Sequence, residues 1–485
     1  MKPTTMEKRC HTVLLALALV GVCTAKAPAA NWPVFGFDPA RSGFNNVERT
    51  LTVANVHKLR ARWQVSLGAI ADSTPILLAR VRIGSKYRTM LFQTTKSGIT
   101  LGMDATTGHI LWRFSSSGPN YTHSTPAADP SGTVIYAPAL DGMVHKLNVS
   151  NGHEIRGTGF PVRITRMPSS EADESALNVA NGYLYATTSG YNGDAPPYDG
   201  HVVSVRLSDG STTVFNSLCS DYRKLPGPHT CSQQLSGIWS RGGAVVDPDA
   251  SLGGRIYAAT GNGDFDGNQP GGDNFGDSIL SLSPHLEMLL GYYAPADYAQ
   301  LQSQDLDLGS TSPALLPAQG TSQTPWMLVQ GGKDAEFRLL NRAALPGVGN
   351  ELQNFNIPAE LFATPAVWTD SSNHVWVFLD FSNLVQAYRL KTDARGISTL
   401  HMVWQANPGN SSGEGTSAVV ADGVVFVAFD NNLVALNALT GTLLWSSTMR
   451  TAGKTIGPVH WESPIVINGA VYCSDENGHL TAYSL

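Results

Sequence analysis

The stretch Met103-Asp-Ala-Thr-Thr-Gly-His-Ile-Leu-Trp112 returns far downstream, nearly unchanged, as Leu436-Asn-Ala-Leu-Thr-Gly-Thr-Leu-Leu-Trp445. In each copy an apolar run enters a polar Thr-Gly turn, and a second run carries a Trp four residues after the Gly. This is the pattern of a β-hairpin with an aromatic on its outer strand, and its recurrence implies a repeat architecture. The chain can therefore be read as a set of equivalent blades.

Each repeat opens on a short Ser/Thr-Pro or Ser-Ala signature. The signatures are Ser73-Thr-Pro75, Ser124-Thr-Pro126, Ser175-Ala176, Ser240-Arg241, Ser312-Pro313, Thr364-Pro365, Ser417-Ala418 and Ser463-Pro464. Eight starts, mostly about fifty residues apart, predict an all-β, eight-bladed β-propeller of four-stranded antiparallel blades. The last repeat stops without its Trp strand, while Lys58-Leu-Arg-Ala-Arg-Trp63-Gln-Val-Ser-Leu67 reads as an unpaired one. That strand is expected to complete the eighth blade and close the ring, which removes exposed sheet edges. Two longer intervals place extra loops at Ser217–Gln234, Gly261–Asp277 and Tyr292–Asp307, and insertions on a rigid scaffold commonly carry function.

At 485 residues the usual prior is three domains, but a closed repeat array holds one core at this size, so residues 28–485 are read as one propeller. The 48 Gly and 28 Pro suit many short strands and turns. With a formal net charge of -6 and no Lys/Arg-rich run, the chain has no electrostatic footprint for nucleic acid. Residues 1–27 combine Lys2, Lys8 and Arg9 with an apolar run from Val13 to Val22 and Ala25-Lys-Ala27, the composition of a signal peptide. Cleavage after Ala27 or Ala29 and lipidation at Cys23 are the two processing options, and either makes the mature protein periplasmic or secreted. No further apolar run reaches transmembrane length. Of the cysteines left, Cys219 and Cys231 share one loop and form the candidate disulfide, with Cys473 a buried thiol.

In a propeller, residues just before each inner strand converge on the axis. Here they are Asp72, His123, Glu174, Asp307, Glu360, Glu414 and Glu462. Either a hard divalent cation such as calcium lies among these carboxylates, or they line a hydrated acidic funnel. Asn262-Gly-Asp264-Phe-Asp266-Gly267 matches the early positions of a calcium loop, and equally reads as a Gly/Asp turn cluster that satisfies its own backbone. The chain lacks a Gly-x-Ser-x-Gly elbow, a phosphate loop and a Cys-x-x-Cys-His haem attachment, so electrons released by any redox chemistry leave to an external acceptor.

The eight repeats, the Asp-Ala-x-Thr-Gly-x-x-x-Trp hairpin and the opening Trp32-Pro-Val-Phe-Gly-Phe-Asp-Pro-Ala-Arg41 together resemble the pyrroloquinoline-quinone (PQQ) propeller superfamily. It contains quinoprotein dehydrogenases of alcohols, sugars and polyvinyl alcohol, and also outer-membrane assembly scaffolds that bind no cofactor. Gly237-Ile-Trp239 with Ala259-Thr-Gly-Asn262 is similar to the stretch in which a Trp underlies the quinone and an Asn ligates calcium; the other reading of Trp239 is a core aromatic. Gln304-Asp305-Leu-Asp307 resembles the segment supplying the catalytic aspartate, with Asp305 the first choice and Asp307 the second. Lys333, in Gln330-Gly-Gly-Lys-Asp-Ala-Glu-Phe-Arg-Leu-Leu-Asn-Arg342, resembles the residue that bonds the quinone oxygens; the alternative is a surface lysine. Asp194 occupies the place of a calcium-binding carboxylate, and Thr188 and Ser189 are placed to donate to the cofactor carboxylates.

The resemblance thus implies a PQQ- and calcium-dependent oxidoreductase acting on an alcohol or polyol. Its metal ligands are Asp194, Asn262 and Asp305, and its cofactor contacts are Trp239, Lys333, Ser189 and Thr188. Two departures stand out: the adjacent cysteine pair of many alcohol dehydrogenases is absent, and no arginine lies between Ser124 and Leu140. Lys333, calcium and Arg241 are the visible counter-charges for a quinone with three carboxylates. A non-catalytic scaffold that binds envelope proteins through its loops is the competing expectation; in it Asp305 and Lys333 face no common pocket. A third is a propeller that binds carbohydrate or polymer through rim aromatics.

Overall fold

The computed structural model describes residues 1, 29–191, 195–381, 383–409 and 414–485. The expected export signal lies outside them except for Met1, and so does Asp194. Among the described residues the strands form eight sheets, each built on four antiparallel strands. Blade 1, for example, runs Ile76–Ile83, Lys86–Thr94, Ile99–Asp104 and Ile110–Ser115. Blade 8 has Ile465–Ile467, Ala470–Ser474 and His479–Ser484, and its fourth strand is Arg60–Ser66, paired antiparallel to His479–Ser484. The ring closes through Trp63, as its unpaired strand demanded.

The hairpin motif acts between blades. Trp63 of blade 8 packs its ring on Gly108 of blade 1 and donates Nε1–H to the Ala105 carbonyl at 3.2 Å. Trp112 of blade 1 does the same to Gly152 and Val149 of blade 2, and Trp404 of blade 6 to Gly441 and Ala438 of blade 7. The Gly is obligatory twice over: at Gly441 φ is +71°, and a Cβ would lie 2.6 Å from the Trp404 ring. Apolar side chains fill the spaces between neighbouring sheets, as where Val134 and Val144 of blade 2 meet Val179, Leu184 and Val203 of blade 3.

The Ser/Thr signatures link the inner strands in a chain around the axis. The N–H of Thr364 donates to Ser417 Oγ, that of Ser417 to Ser463 Oγ, that of Ser463 to Thr74 Oγ1 and that of Thr74 to Thr125 Oγ1, all at 2.9–3.1 Å. On one side of these hydroxyls lie the residues that precede each signature. On the other, the N-terminal segment crosses the inner strands: Trp32 bridges Leu77, the Pro33 carbonyl accepts from Ala128, Pro39 from Val246, Ser42 from Val367 and Gly43 from Val420. Arg41 is fully buried in it, giving its guanidinium to the carbonyls of Phe35, Ala176, Leu177 and Gly242. Residues 32–45 therefore plug one end of the axial channel, and what remains open is a one-ended funnel.

The insertions sit on blades 3 and 4. Cys219 and Cys231 are disulfide-bonded, and Cys473 is a buried free thiol. Residues 217–234 lean on the loop at 261–277 through bonds from Ser220 N to the Asp273 carbonyl and from Cys219 N to Asn274 Oδ1. In that loop Asp266 gives its carboxylate to the backbone and side chain of Asn274, which is the turn-cluster reading of this stretch. A short α-helix, Tyr298–Gln304, leads into Asp305, whose left-handed φ of +55° ends it. No helix among the described residues is long and apolar enough to cross a membrane.

Candidate functional site

The funnel opens into a cavity of about 340 Å³ on the axis. Its floor is indole: Trp239 and Trp461 stack with centroids 5.8 Å apart and planes 24° from parallel. Both stand in the approach to an inner strand, Trp239 one residue ahead of Ser240 and Trp461 two residues ahead of Ser463. Trp239 is half-buried and lines the cavity, so it is not a core aromatic.

Blades 4 and 5 supply the acidic side. The helix end at Asp305 and the short 3-10 turn Leu308–Ser310 hold Asp305 and Asp307 at the cavity, Asp305 exposed and Asp307 buried. Lys333 Nζ reaches Asp305 Oδ1 and Asp307 Oδ2, each at 2.6 Å, and lies 5.4 Å from the centroid of the Trp239 ring. Asn262 donates its backbone N–H to Asp307 Oδ1 at 2.5 Å and its Nδ2 to Asp305 Oδ1 at 3.1 Å. Gly261 makes this approach possible, because a Cβ there would sit 2.6 Å from Asp307 Oδ1 and 2.9 Å from Trp239 Nε1. Burial raises the Asp307 carboxyl above its ordinary value although Lys333 opposes the shift. Behind it, Asp277 accepts from Leu308 N, and burial with the Asp307 charge pushes its carboxyl well up.

The other side gathers Lys96, His123 and His460 around a buried carboxylate and was not legible beforehand as a unit. Asp72, fully buried, is met by Lys96 Nζ at 3.1 Å, His123 Nε2 at 3.2 Å, His460 Nδ1 at 3.0 Å and the Trp461 N–H at 2.8 Å. His123 Nδ1 in turn pairs with Glu174. Tyr121 and Tyr191 meet edge to face at 5.2 Å on the rim, with Lys96 5.0 Å over the Tyr121 ring.

Trp239, Asn262, Asp305, Asp307, Lys333 and Ser189 thus converge on one cavity. Lys333 is no surface lysine, and the expectation that Asp305 and Lys333 face no common pocket does not hold. Thr188 is a correction: it is fully buried one residue away, its hydroxyl bonded to His201 Nδ1 at 2.9 Å, because alternate residues of a strand point to opposite faces. Glu360 is a second, being exposed and off the cavity. Arg241 is a third as a cofactor contact: it lies buried beneath Trp461, its guanidinium on the carbonyls of Gly415 and His460 and 3.5 Å from Glu414. Basic side chains stand beside these carboxylates: Lys96, His123 and His460 at Asp72, His123 at Glu174, Lys333 at Asp307, and Arg241 and His460 at Glu414. Lys96, His460 and Trp461 escaped the sequence reading; Trp461 stands two residues ahead of its signature and Trp239 one, so the repeat position did not flag it.

Residues 48–217 and 398–485 match the family described as outer membrane protein assembly factor BamB. No curated protein sequence matches the chain. Among solved structures, the quinohemoprotein alcohol dehydrogenase from Comamonas testosteroni superposes with a TM-score of 0.67 at 15% identity, covering 94% of this chain and 81% of that one. A europium-containing methanol dehydrogenase gives 0.66 at 14%, covering 95% and 99%. BamB from Moraxella catarrhalis gives 0.55 at 14%, covering 88% and 100%. At these identities the likeness is one of fold.

Proposed function

Because the chain belongs to the family of the outer membrane protein assembly factor BamB and has the eight-bladed PQQ-type propeller, its function has to be argued from its cavity. From that cavity we propose that it is a PQQ- and calcium-dependent dehydrogenase of an alcohol or polyol, acting in the periplasm or after secretion. The observation that carries this reading is the meeting of Asp305 and Lys333 at 2.6 Å over the face of Trp239. A scaffold has no need of a half-buried lysine held between two aspartates above an indole in an open cavity.

The residues present suit the implied groups. A flat indole floor in a cavity of about 340 Å³ suits a planar ring system, and that volume lies within the range of small-molecule sites. Asn262 and Asp305 lie within hydrogen-bond reach of each other and offer the oxygen donors that a hard cation takes, with Asp194 as the further ligand from outside the described residues. When bound, the quinone supplies the two-electron acceptor and the cation a Lewis acid.

The chain's own residues do the rest. Trp239 sets the plane of the ring and Lys333 presents its N–H donors above it. Asp305, exposed at the mouth, accepts the hydroxyl proton of the substrate. Asp307 takes no part in that transfer; buried, it holds Lys333 in place. Ser189, beside Gly237, adds a hydroxyl at the rim. Electrons then pass to an external acceptor.

Loading purified protein with the quinone and calcium, then following dye reduction with a panel of alcohols, tests the reading. Turnover that disappears in Asp305→Asn supports it; no quinone binding and no turnover reject it. The family match favours one competitor, a non-catalytic envelope scaffold. It is preferred if the quinone is not bound while envelope proteins co-purify through the loops of blades 3 and 4.

A further inference from the structure

The wall of Lys96, His123 and His460 has no part in the reaction above. Lys96 comes from the turn after the second strand of blade 1, His123 from the approach to blade 2 and His460 from the approach to blade 8, and all three gather on Asp72. All three line the cavity; Lys96 and His460 each set one side on the buried anion and another toward open space, whereas both ring nitrogens of His123 are held, Nε2 by Asp72 and Nδ1 by Glu174. Asp72, Glu174 and Glu414 bring negative charge to this wall and Lys96 positive charge. Protonated His460 puts a second cation beside Lys96 and neutral His460 does not, so an anion set against the two is held more tightly in the protonated state.

Further groups face the histidines. Glu414 lies 3.9 Å from His460 Nε2, Glu462 accepts the His460 backbone N–H, and Arg241 donates to the His460 carbonyl. The Glu476 carboxylate comes within 4.8 Å of the ligand atoms of Asp72 and His460. Around His123 stand Asp72, Glu174 and the rings of Tyr121 and Trp461. Burial alone would lower His460, but the hydrogen bond and charge of Asp72 outweigh it and raise the group above its ordinary value. Burial would likewise raise Asp72, yet His460, His123 and Lys96 together hold it well below the carboxylate range. Asp72 thus stays charged and keeps its cations on the cavity wall.

We propose that Lys96 and His460, with His123 packed behind them on Asp72, form a proton-gated clamp for a carboxylate of an aromatic polycarboxylate whose ring lies on Trp239 and Trp461. This rests on the proposed function in one respect: the quinone with three carboxylates is the ligand that the clamp would serve. The clamp replaces the arginine that the stretch from Ser124 to Leu140 lacks. An anion set against His460 favours its protonated form further. Binding therefore takes up protons, and affinity falls as pH rises past the free histidine's value, by up to about tenfold per pH unit for each proton taken up.

The test uses benzene-1,3,5-tricarboxylate, which has the aromatic carboxylates without the quinone. It is titrated into the full chain without calcium at about pH 6 and about pH 8.5, with tryptophan fluorescence as the readout. Binding should be at least about tenfold tighter at the lower pH, with proton uptake measured by calorimetry in two buffers. Lys96→Gln should weaken binding at both pH values. His460→Gln should flatten the pH dependence, and His460→Lys should retain binding while also flattening it, which a merely structural histidine would not do. Should His460→Gln fail to fold, Lys96→Gln and His460→Lys carry the test.

Absent or pH-independent binding in the wild type overturns the clamp. So does tight binding of Zn2+ or Mn2+ that His460→Gln removes while tricarboxylate binding is unchanged; the cluster is then a metal site. If the tricarboxylate behaves as expected and the quinone does not bind, the clamp stands and the proposed function falls. If the quinone binds and the tricarboxylate does not, the clamp alone falls.

Discussion

Replacing Lys333 by Met keeps the stem over Trp239 and removes the charge between Asp305 and Asp307. The two partners differ sharply: the Asp307 side chain is 7% exposed and that of Asp305 65%. The exposed contact is worth about 0.2–1 kcal/mol at most. Removing one member of a buried pair costs about 3–5 kcal/mol, and because Lys333 keeps some access to water the lower end applies, about 3 kcal/mol near pH 8. The deficit depends on pH. The Asp307 carboxyl is already raised from 3.8, and without Lys333 it rises further. A carboxyl whose folded value exceeds its unfolded one favours the folded state at low pH, and that contribution is lost as pH climbs from about 4 through the folded value. The variant should thus lose under about 1 kcal/mol near pH 5. Urea unfolding at the two pH values measures both figures, and near pH 8 the melting temperature should drop by about 3 °C for an array of this size. Adding Asp307→Asn should recover most of the loss, since Asn still accepts from the Asn262 N–H. Equal losses at both pH values, or no recovery in the double variant, would refute the argument.

Three further outcomes are expected. Asp305→Asn, at an exposed side chain, should leave the melting curve unchanged and lower kcat/KM by about 10²–10⁴-fold in the quinone-loaded protein, with quinone affinity retained in a fluorescence titration. Gly441→Ala should cost about 2–4 kcal/mol in urea unfolding, from the positive φ together with the clash on Trp404; Gly132→Ala, with positive φ but nothing within 4 Å, should cost only about 1 kcal/mol. Deleting residues 30–67 removes both the fourth strand of blade 8 and the plug, so circular dichroism should show no cooperative melt; a truncated chain that melts like the intact one would rule out ring closure through Trp63.

Much of the scaffold was legible because its rules are local. A Thr-Gly turn and a Trp four residues on state a hairpin and an aromatic anchor wherever they occur, and a count of eight signatures states the ring size. Trp239, Asn262, Asp305 and Lys333 were found because each lies inside a short stretch of its own blade. Thr188 went astray by one position, since a one-residue shift along a strand exchanges the cavity face for the interior. Glu360 went astray because its place before an inner strand does not say whether its side chain turns inward. Arg241 was named as a counter-charge for the cofactor, and the fold holds it on backbone carbonyls under Trp461.

What no local pattern could state is which side chains become neighbours once the ring is closed. Asp72, His123 and His460 come from the two ends of the closure and meet only because Arg60–Ser66 pairs with His479–Ser484. The role of residues 32–45 as a plug is of the same kind, since its partners are carbonyls and N–H groups spread over the inner strands. The sequence by itself determined the blades, their number and the side chains offered at each inner strand, because period-two alternation and turn chemistry act over a few residues. Only the tertiary structure decided that the funnel is blind, and that Asp305, Asp307 and Lys333 gather on one wall and Asp72, Lys96, His123 and His460 on the other. Those properties are sums over residues that share an axis and not a segment, and Coulomb forces depend on distance in space.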